Sequence, residues 1–376
     1  MRTIRLPFAV GRPILACGAD LKGAFALAKG REAFLYEGFG DLGDADNLAR
    51  YEKSIKKAVK DAKIRPVIIA CDLHPGYYST RFAEDSQLQA PNSMLCKIQH
   101  HEAHIASAIV DNGIKGKVIG VALDGTGFGT DGKIWGGEFF TGDPEKFERA
   151  AHFAYLPMPG GELAIREPWR MAAVYLYRAF GDAFLDIKID LVEKIDKKRW
   201  GALAAAVKRG INAPLTSSAG RLFDAAASIT LGKKEAHYEA ELPVKFEMLA
   251  DGACSDRYDL EVGKGDGIPE VDFRLTIRGI VKDLAKKRDS GTISAKFHNT
   301  VAAAITDICA RLRKKTGIRE AVLSGGVFQN KYLIGRVSAS LKGKGFKVHT
   351  HSNFLTNDTG IAIGQLAIAN ARVLCV

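Results

Sequence analysis

The chain has 376 residues, 47% of them hydrophobic, enough for one large domain or two fused ones with a substantial core. Its 54 Lys and Arg against 43 Asp and Glu leave a net charge of +11, which favours anionic partners such as a nucleotide, an acidic protein or RNA. No apolar run approaches the roughly 20 residues that span a bilayer, the start "MRTIRLPFAV" lacks the apolar core of a signal peptide, and none of the six cysteines forms a C-x-x-C pair for zinc or redox chemistry, so a cytoplasmic protein with free, mostly buried thiols is expected.

In chain order, residues 13–39 read as two or three short strands with tight turns. An amphipathic helix follows over 44–63, capped by Asp44 or Asp46, with Leu48, Tyr51, Ile55, Ala58, Val59 and Ala62 on one face. "PVIIACD" (66–72) suits a buried strand, and "KIQHHEAHIASAIVDNG" (97–113) opens a helix that ends at Asn112-Gly113. The pattern then recurs: 115–143 reads as strand, Gly-rich acidic turn and strand, with a third strand over 149–155. Helices are expected near 166–180, 189–208, 218–230 and 294–314. "EAVLSGGVFQN" (320–330) reads as strand, Gly-Gly turn and helix, 346–351 as a strand, and 358–372 as a last helix.

Two three-strand starts, each followed by α/β units, are the organisation of the actin-like ATPase and sugar-kinase fold. This predicts duplicated α/β halves over 1–114 and 115–376, with a helical insertion in the second half at about 157–250. A plain doubly wound α/β domain is the alternative. The basic clusters at 193–200, 282–289 and 311–319 contain few aromatic residues, so they read as solvated helix faces rather than a nucleic-acid surface.

Chemistry concentrates in a few segments. His100 and His104 are spaced i, i+4, which puts both imidazoles on one helix face within reach of one metal, while His101 points about 100° away. Asp358, in "LTNDTGIAIG", supplies a third ligand, and two His with one carboxylate leave open positions for catalysis. "LDGTGFGTDG" (123–132) exposes backbone N–H groups that suit a phosphate, or is an ordinary Gly-rich turn. Gly325 and Gly326 let a ligand meet a helix N-terminus, with Asn330 able to read a base edge; a tight βα turn explains them equally. Asp224 offers a carboxylate to ribose hydroxyls, Arg166 and Arg170 lie one turn apart and could clamp a carbonyl or phosphate, and His74 follows a buried strand as a candidate acid/base. Each of the last three has a bland reading: a solvated carboxylate, a surface pair and a turn histidine.

Together these segments resemble one family. "ILACGADLKGAFALAKG", "DLHPGYYSTR", "QHHEAHIASAI", "GVALDGTGFGTDGKIWGGEF", "LPMPGGELAIREPWRMA", "TSSAGRLFDAAA", "FHNTVA", "LSGGVFQN" and "NDTGIAIGQ" are similar, in this order, to the C-terminal domain of the HypF carbamoyltransferases of [NiFe]-hydrogenase maturation. That domain is in turn similar to the TsaD tRNA-modifying transferases and to antibiotic O-carbamoyltransferases, and "REPWR" is typical of the carbamoyl branch. The resemblance implies the actin-like fold and a divalent metal, iron or zinc, on His100, His104 and Asp358. It further implies a nucleotide, ATP, AMP or carbamoyl-adenylate, beside Leu123, Asp124, Gly125, Thr126 and Gly127, with Asp224 on the ribose side, Gly325, Gly326 and Asn330 on the adenine side, and Glu239 also among the nucleotide-binding residues.

The implied acceptor is a thiol of a HypE-like partner, with His74 or His101 taking its proton and backbone N–H groups near Gly125 and Gly127 facing the oxyanion. A tRNA or small-molecule hydroxyl, or a non-catalytic nucleotide scaffold, are the rival roles. Nothing in the sequence corresponds to the acylphosphatase, zinc-finger and adenylate-forming parts of full HypF, so a separate protein is expected to supply carbamoyl-adenylate. In "HYEAELP" (237–243), Ala240 and Glu241 replace the family's glycine and neutral residue, and the extra carboxylate is expected to repel phosphate.

Overall fold

The chain's structure, a computed structural model, describes residues 1–85, 93–265 and 267–374. Its first half opens with strands β1 (Arg2–Ala16) and β2 (Phe25–Tyr36), which pair antiparallel over a long ladder broken by two register shifts. Helix α1 (Ala45–Asp61) follows, capped by Asp44, whose side chain accepts from the N–H groups of Asp46 and Asn47. Its buried face is Tyr51, Ile55 and Ala58; Leu48 and Val59 are half-buried and Ala62, at the C-cap, is exposed. Strand β3 (Ile68–Asp72), helix α2 (Tyr78–Glu84), strand β4 (Met94–Ile98) and helix α3 (His100–Asn112) complete this half. The sheet order is β2-β1-β3-β4, with β3 parallel to β1 and β4 parallel to β3.

The same plan returns in β5 (Val118–Phe128), antiparallel to β6 (Ile134–Asp143), which pairs with β7 (Lys146–Phe153). A helical stretch then runs from the two-residue strand β8 (Leu156–Pro157) through α4 (Leu163–Arg166), α5 (Trp169–Phe180), α6 (Asp190–Glu193) and α7 (Lys197–Lys208). After the equally short β9 (Leu215–Thr216) come α8 (Ala219–Leu231) and α9 (Glu241–Leu249). A hairpin, β10 (Glu261–Gly265) and β11 (Ile268–Asp272), leads into α10 (Arg274–Ala285) and α11 (Ser290–Thr316). Strand β12 (Glu320–Ser324), helix α12 (Lys331–Gly343), strand β13 (Lys347–His349) and helix α13 (Ile361–Leu374) end the described chain.

The second sheet runs β10-β11-β7-β6-β5-β12-β13, with β12 parallel to β5 and β13 parallel to β12. In each half, then, an antiparallel hairpin is followed by two parallel strands and a helix, α3 in one and α13 in the other. Those two helices pack on each other between the sheets, in a core that joins Ile14 and Ala16 of β1 to Val118 and Ala122 of β5. One further core covers the outer face of the first sheet around Tyr51 and Phe25, and the largest covers the second sheet with α5, α8, α10 and α11. This is the duplicated, actin-like α/β fold.

The sequence reading departs from the structure in local ways. The "turn" at 123–132 is mostly strand: β5 continues to Phe128 through a register shift between Leu123 and Gly127, and only 129–133 turns. Helices α9 and most of α10, and the β10–β11 hairpin, were not expected. Cys17, Cys71 and Cys309 are buried free thiols, Cys96 and Cys254 are half-exposed, and Cys375 lies outside the described residues. Among the described residues no helix is long and apolar enough to cross a membrane.

Candidate metal centre and nucleotide cavity

Helix α3 is started by Gln99, whose side-chain oxygen accepts from the N–H groups of His101 (2.8 Å) and Glu102 (3.0 Å). This cap fixes the first turn and so aims the three histidines. His100 and His104 face inward to Asp124 on β5 and Asp358, the first residue of a tight turn before α13. Asp124 Oδ2 is 2.9 Å from His104 Nε2 and 3.4 Å from His100 Nε2; Asp358 Oδ1 is 3.5 Å and 3.7 Å from the same atoms. One ligand atom from each of the four lies within 4.8 Å of every other. Bonds of about 2.0–2.2 Å to one ion would separate neighbouring donors by about 3.0–3.5 Å, so the set fits a divalent cation.

The electrostatics agree. Burial pushes both imidazoles down, but the surrounding carboxylates outweigh it, Asp72 leading for His100 and Asp124 for His104, and hold both above the ordinary value. Burial likewise pushes the carboxyl groups up, and the two histidines reverse it: Asp124 falls well below the usual range and Asp358 to about 2. A pocket holding this many buried carboxylates demands positive charge. His100 is oriented from behind, since its Nδ1 donates to Asp72 Oδ2 at 2.7 Å and leaves Nε2 for a ligand. Asp72 sits at the end of β3, 28 residues before His100, and no spacing rule singles it out.

Asp124, expected beside the nucleotide, therefore belongs to the metal cluster as well. Its other oxygen accepts from Gly125 N–H (2.8 Å) and Gly326 N–H (3.2 Å). Gly125 thus gives its N–H to this carboxylate rather than to an oxyanion. Gly127 faces inward, where a Cβ would lie 2.4 Å from His101 Cε1.

Asp124 and Asp358 also line a cavity of about 420 Å³. Of the expected nucleotide residues, Gly125, Thr126, Asp224, Glu239, Gly326 and Asn330 line it too. Leu123 and Gly325 lie behind the wall: Gly325 adopts φ +101°, and a Cβ there would meet the Leu123 carbonyl oxygen at 2.3 Å, so only glycine fits. Asn330 does not present a free amide. Its oxygen caps α12 by accepting from Leu333 N–H (2.7 Å), and its nitrogen donates to His298 Nε2 (2.9 Å). Sequence reading missed Lys22 and Arg221, which line the same cavity.

Four expected catalytic residues do not line it. His101 is completely buried, and its Nδ1 receives the Gln99 side-chain N–H at 3.1 Å. Burial, with His100 adding to it, holds its ring well below the ordinary value. His74 stacks on Tyr77, and its Nδ1 accepts from Gly76 N–H at 3.0 Å. Each neutral ring therefore carries its proton on Nε2 and is set as a donor, which does not suit either to take a thiol proton. Arg166 is exposed; Arg170 donates to Glu167 at 2.6 Å, and Arg199 shares that carboxylate. The two arginines form no common clamp. Glu241, expected to repel phosphate, does not line the cavity either: it accepts from His237 N–H and pairs with Lys245. Ala240 before it holds φ +61°, a left-handed geometry that glycine meets without strain.

Comparison with known proteins gives the family. Residues 9–111 match the family model for the HypF Kae1-like domain, and residues 120–365 match that for the carbamoyltransferase Kae1-like domain, second subdomain. The carbamoyltransferase HypF of Rhizobium leguminosarum bv. viciae is 35% identical over 97% of this chain and 46% of its own length. A carbamoyltransferase HypF homolog of Cupriavidus necator is 35% identical over 95% of this chain and 91% of its own. The crystal structure of full-length HypF in its phosphate- and nucleotide-bound form superposes with a TM-score of 0.91 at 37% identity, over 98% of this chain and 47% of that one. HypF of T. kodakarensis gives 0.88 at 27% identity, over 99% and 49%. The chain thus spans about half the length of most of these relatives. With both family models matched in order across 9–365, the chain belongs to the HypF carbamoyltransferase family as its C-terminal, Kae1-like part.

Proposed function

We propose that the chain passes a carbamoyl group from carbamoyl-adenylate to a thiol of a HypE-like partner in the cytoplasm, during [NiFe]-hydrogenase maturation. The observation that carries this reading is one cavity wall shared by Asp124 and Asp358 with the Gly125–Thr126 and Gly326 backbone. It puts a metal-ligating cluster and a phosphate-sized, glycine-lined recess side by side. A full-length relative is known in a phosphate- and nucleotide-bound form, which agrees with a nucleotide as ligand.

His100, His104, Asp124 and Asp358 would hold the ion, iron or zinc on the nitrogen and oxygen donor set. When bound, such an ion supplies Lewis acidity toward a carbamoyl oxygen. The chain's own residues do the rest. Asp72 keeps His100 Nε2 aimed inward, and the Asp124 carboxylate ties the Gly125 and Gly326 backbones together across the nucleotide space. The acceptor arrives as a thiolate, its proton left to solvent, because His74 and His101 are both set as donors. A C–S bond forms at the carbamoyl carbon while the C–O bond to phosphate breaks, and AMP leaves with the electron pair.

The test supplies carbamoyl-adenylate and a cysteine-ended acceptor, and follows the thiocarbamate by mass spectrometry. The wild type should turn over and His104→Ala should lose at least about 100-fold, in line with removal of a ligand that organises the reacting group. Full transfer by a metal-free His104→Ala chain would sink the metal role.

A further inference from the structure

Arg221 is only 3% exposed, yet it lines the cavity. Its place is fixed from the backbone outward. Ser218 caps α8 by accepting from Arg221 N–H (3.1 Å) and donates to Gly125 O (2.6 Å), so the first turn of α8 is tied to the Gly-rich end of β5. Gly220 permits the approach, since a Cβ there would lie 2.9 Å from Gly125 Cα. The guanidinium consequently reaches the Gly125 wall, with Nη2 4.0 Å from where a Cβ on Gly125 would sit. Its Nε is 2.7 Å from Asp224 Oδ2 in an ion pair outside hydrogen-bond geometry, and Nε, Nη1 and Asp224 Oδ2 are all buried without a hydrogen-bond partner. A buried guanidinium with an idle donor costs free energy unless a ligand completes its set.

The other charges on the wall are already engaged or lie at the rim. Asp124 and Asp358 belong to the metal cluster, and Glu247 accepts from the Lys331 and Tyr332 N–H groups at the start of α12. Glu239 is exposed at the rim, as is Lys22, a cation that forms no ion pair among the described residues. Arg221 is thus the buried cation of the recess. Asp224, 2% exposed, offsets the charge of this guanidinium without forming a hydrogen bond to it, so the donors of Arg221 stay open to an anion.

We propose that Arg221 is the phosphate anchor of the cavity. The proposal rests on the nucleotide reading of this cavity. It is tested by calorimetric titration of adenosine and AMP into the wild type, Arg221→Gln and Arg221→Lys, with metal content held equal. Loss of a charged hydrogen bond predicts that the wild-type preference for AMP over adenosine, about 10- to 100-fold, collapses to near unity in Arg221→Gln. Arg221→Lys, which keeps the charge without the fork, should fall between.

A variant that only unsettles the fold lowers both affinities together and leaves their ratio intact, which overturns the proposal. Equal wild-type affinity for adenosine and AMP sinks this inference alone. A wild type that binds neither sinks the nucleotide reading as well.

Discussion

Asp72 decides what His100 can offer. One of its oxygens takes the His100 Nδ1–H at 2.7 Å and the other takes the His74 backbone N–H at 2.8 Å, so the carboxylate is braced from two sides. Replacing it with alanine frees the ring to rotate and removes the charge behind it. Ion affinity should fall about 10- to 100-fold, as for other partners of metal-bound histidines, and Asp72→Asn, which still accepts a hydrogen bond, should fall less. Competition with a chromophoric chelator measures both; equal affinity in all three proteins would show that Asp72 is not an orienting group. The sequence displayed His100 and His104 because their spacing is local, within one helix turn. Asp72 stayed hidden because it meets His100 only through the sheet. Asp124 was visible as an acid among glycines, yet that context suits phosphate and metal equally, and only the fold shows that its two oxygens serve opposite sides.

Helices α3 and α13 set the spacing of the metal ligands. Gly364 on α13 touches the backbone of α3 so closely that a Cβ would lie 1.8 Å from the Ala103 carbonyl oxygen. Gly364→Ala must therefore push the helices apart, at about 1–3 kcal/mol as for other overpacked contacts. It should also weaken ion binding, because Asp358 lies in the tight turn that leads into α13, six residues before this contact. A lowered melting temperature with unchanged ion affinity would show that the ligands do not follow the helices. The limits of α3 were legible from its histidines and the Asn112-Gly113 stop, and the observed C-cap is Gly113 in the left-handed region. The start of α13 was read too early, at 358, because Asn357 caps a separate tight turn before the helix proper at 361. The β10–β11 hairpin escaped because its strands are five residues each and mostly half-exposed, which gives little alternation to detect.

Across the whole molecule, His298 makes folding sensitive to acid. It joins α11 to α12: Nδ1 donates to Ser294 O (2.8 Å), and Nε2 accepts from Asn330 (2.9 Å). Burial pushes the imidazole down to about 4, against a weaker upward pull from the Ser294 carbonyl. The unfolded chain therefore binds a proton between about pH 6.5 and 4 that the folded chain refuses. The contribution of His298 is complete above pH 6.5 and is lost as pH falls toward 4, by about 3 kcal/mol in all. Denaturant titrations at pH 7 and 5 should show wild-type stability falling more than that of His298→Gln; parallel losses would place the acid sensitivity elsewhere.

The doubled plan was legible at this scale because both hairpin starts are marked by glycine turns between apolar runs. What the sequence could not convey was that α13, last in the chain, packs against α3 and β1 of the first half. That exchange has a consequence for how the protein matures. His100 and His104 are encoded before the exposed link at 113–117, and Asp124 and Asp358 after it, so neither side of the link carries more than two of the four ligands. The centre is a latch with one jaw on each side. It can close only after α13 has docked on α3 and β1, so an ion held by these four residues would mark the joining of the two sides rather than start it.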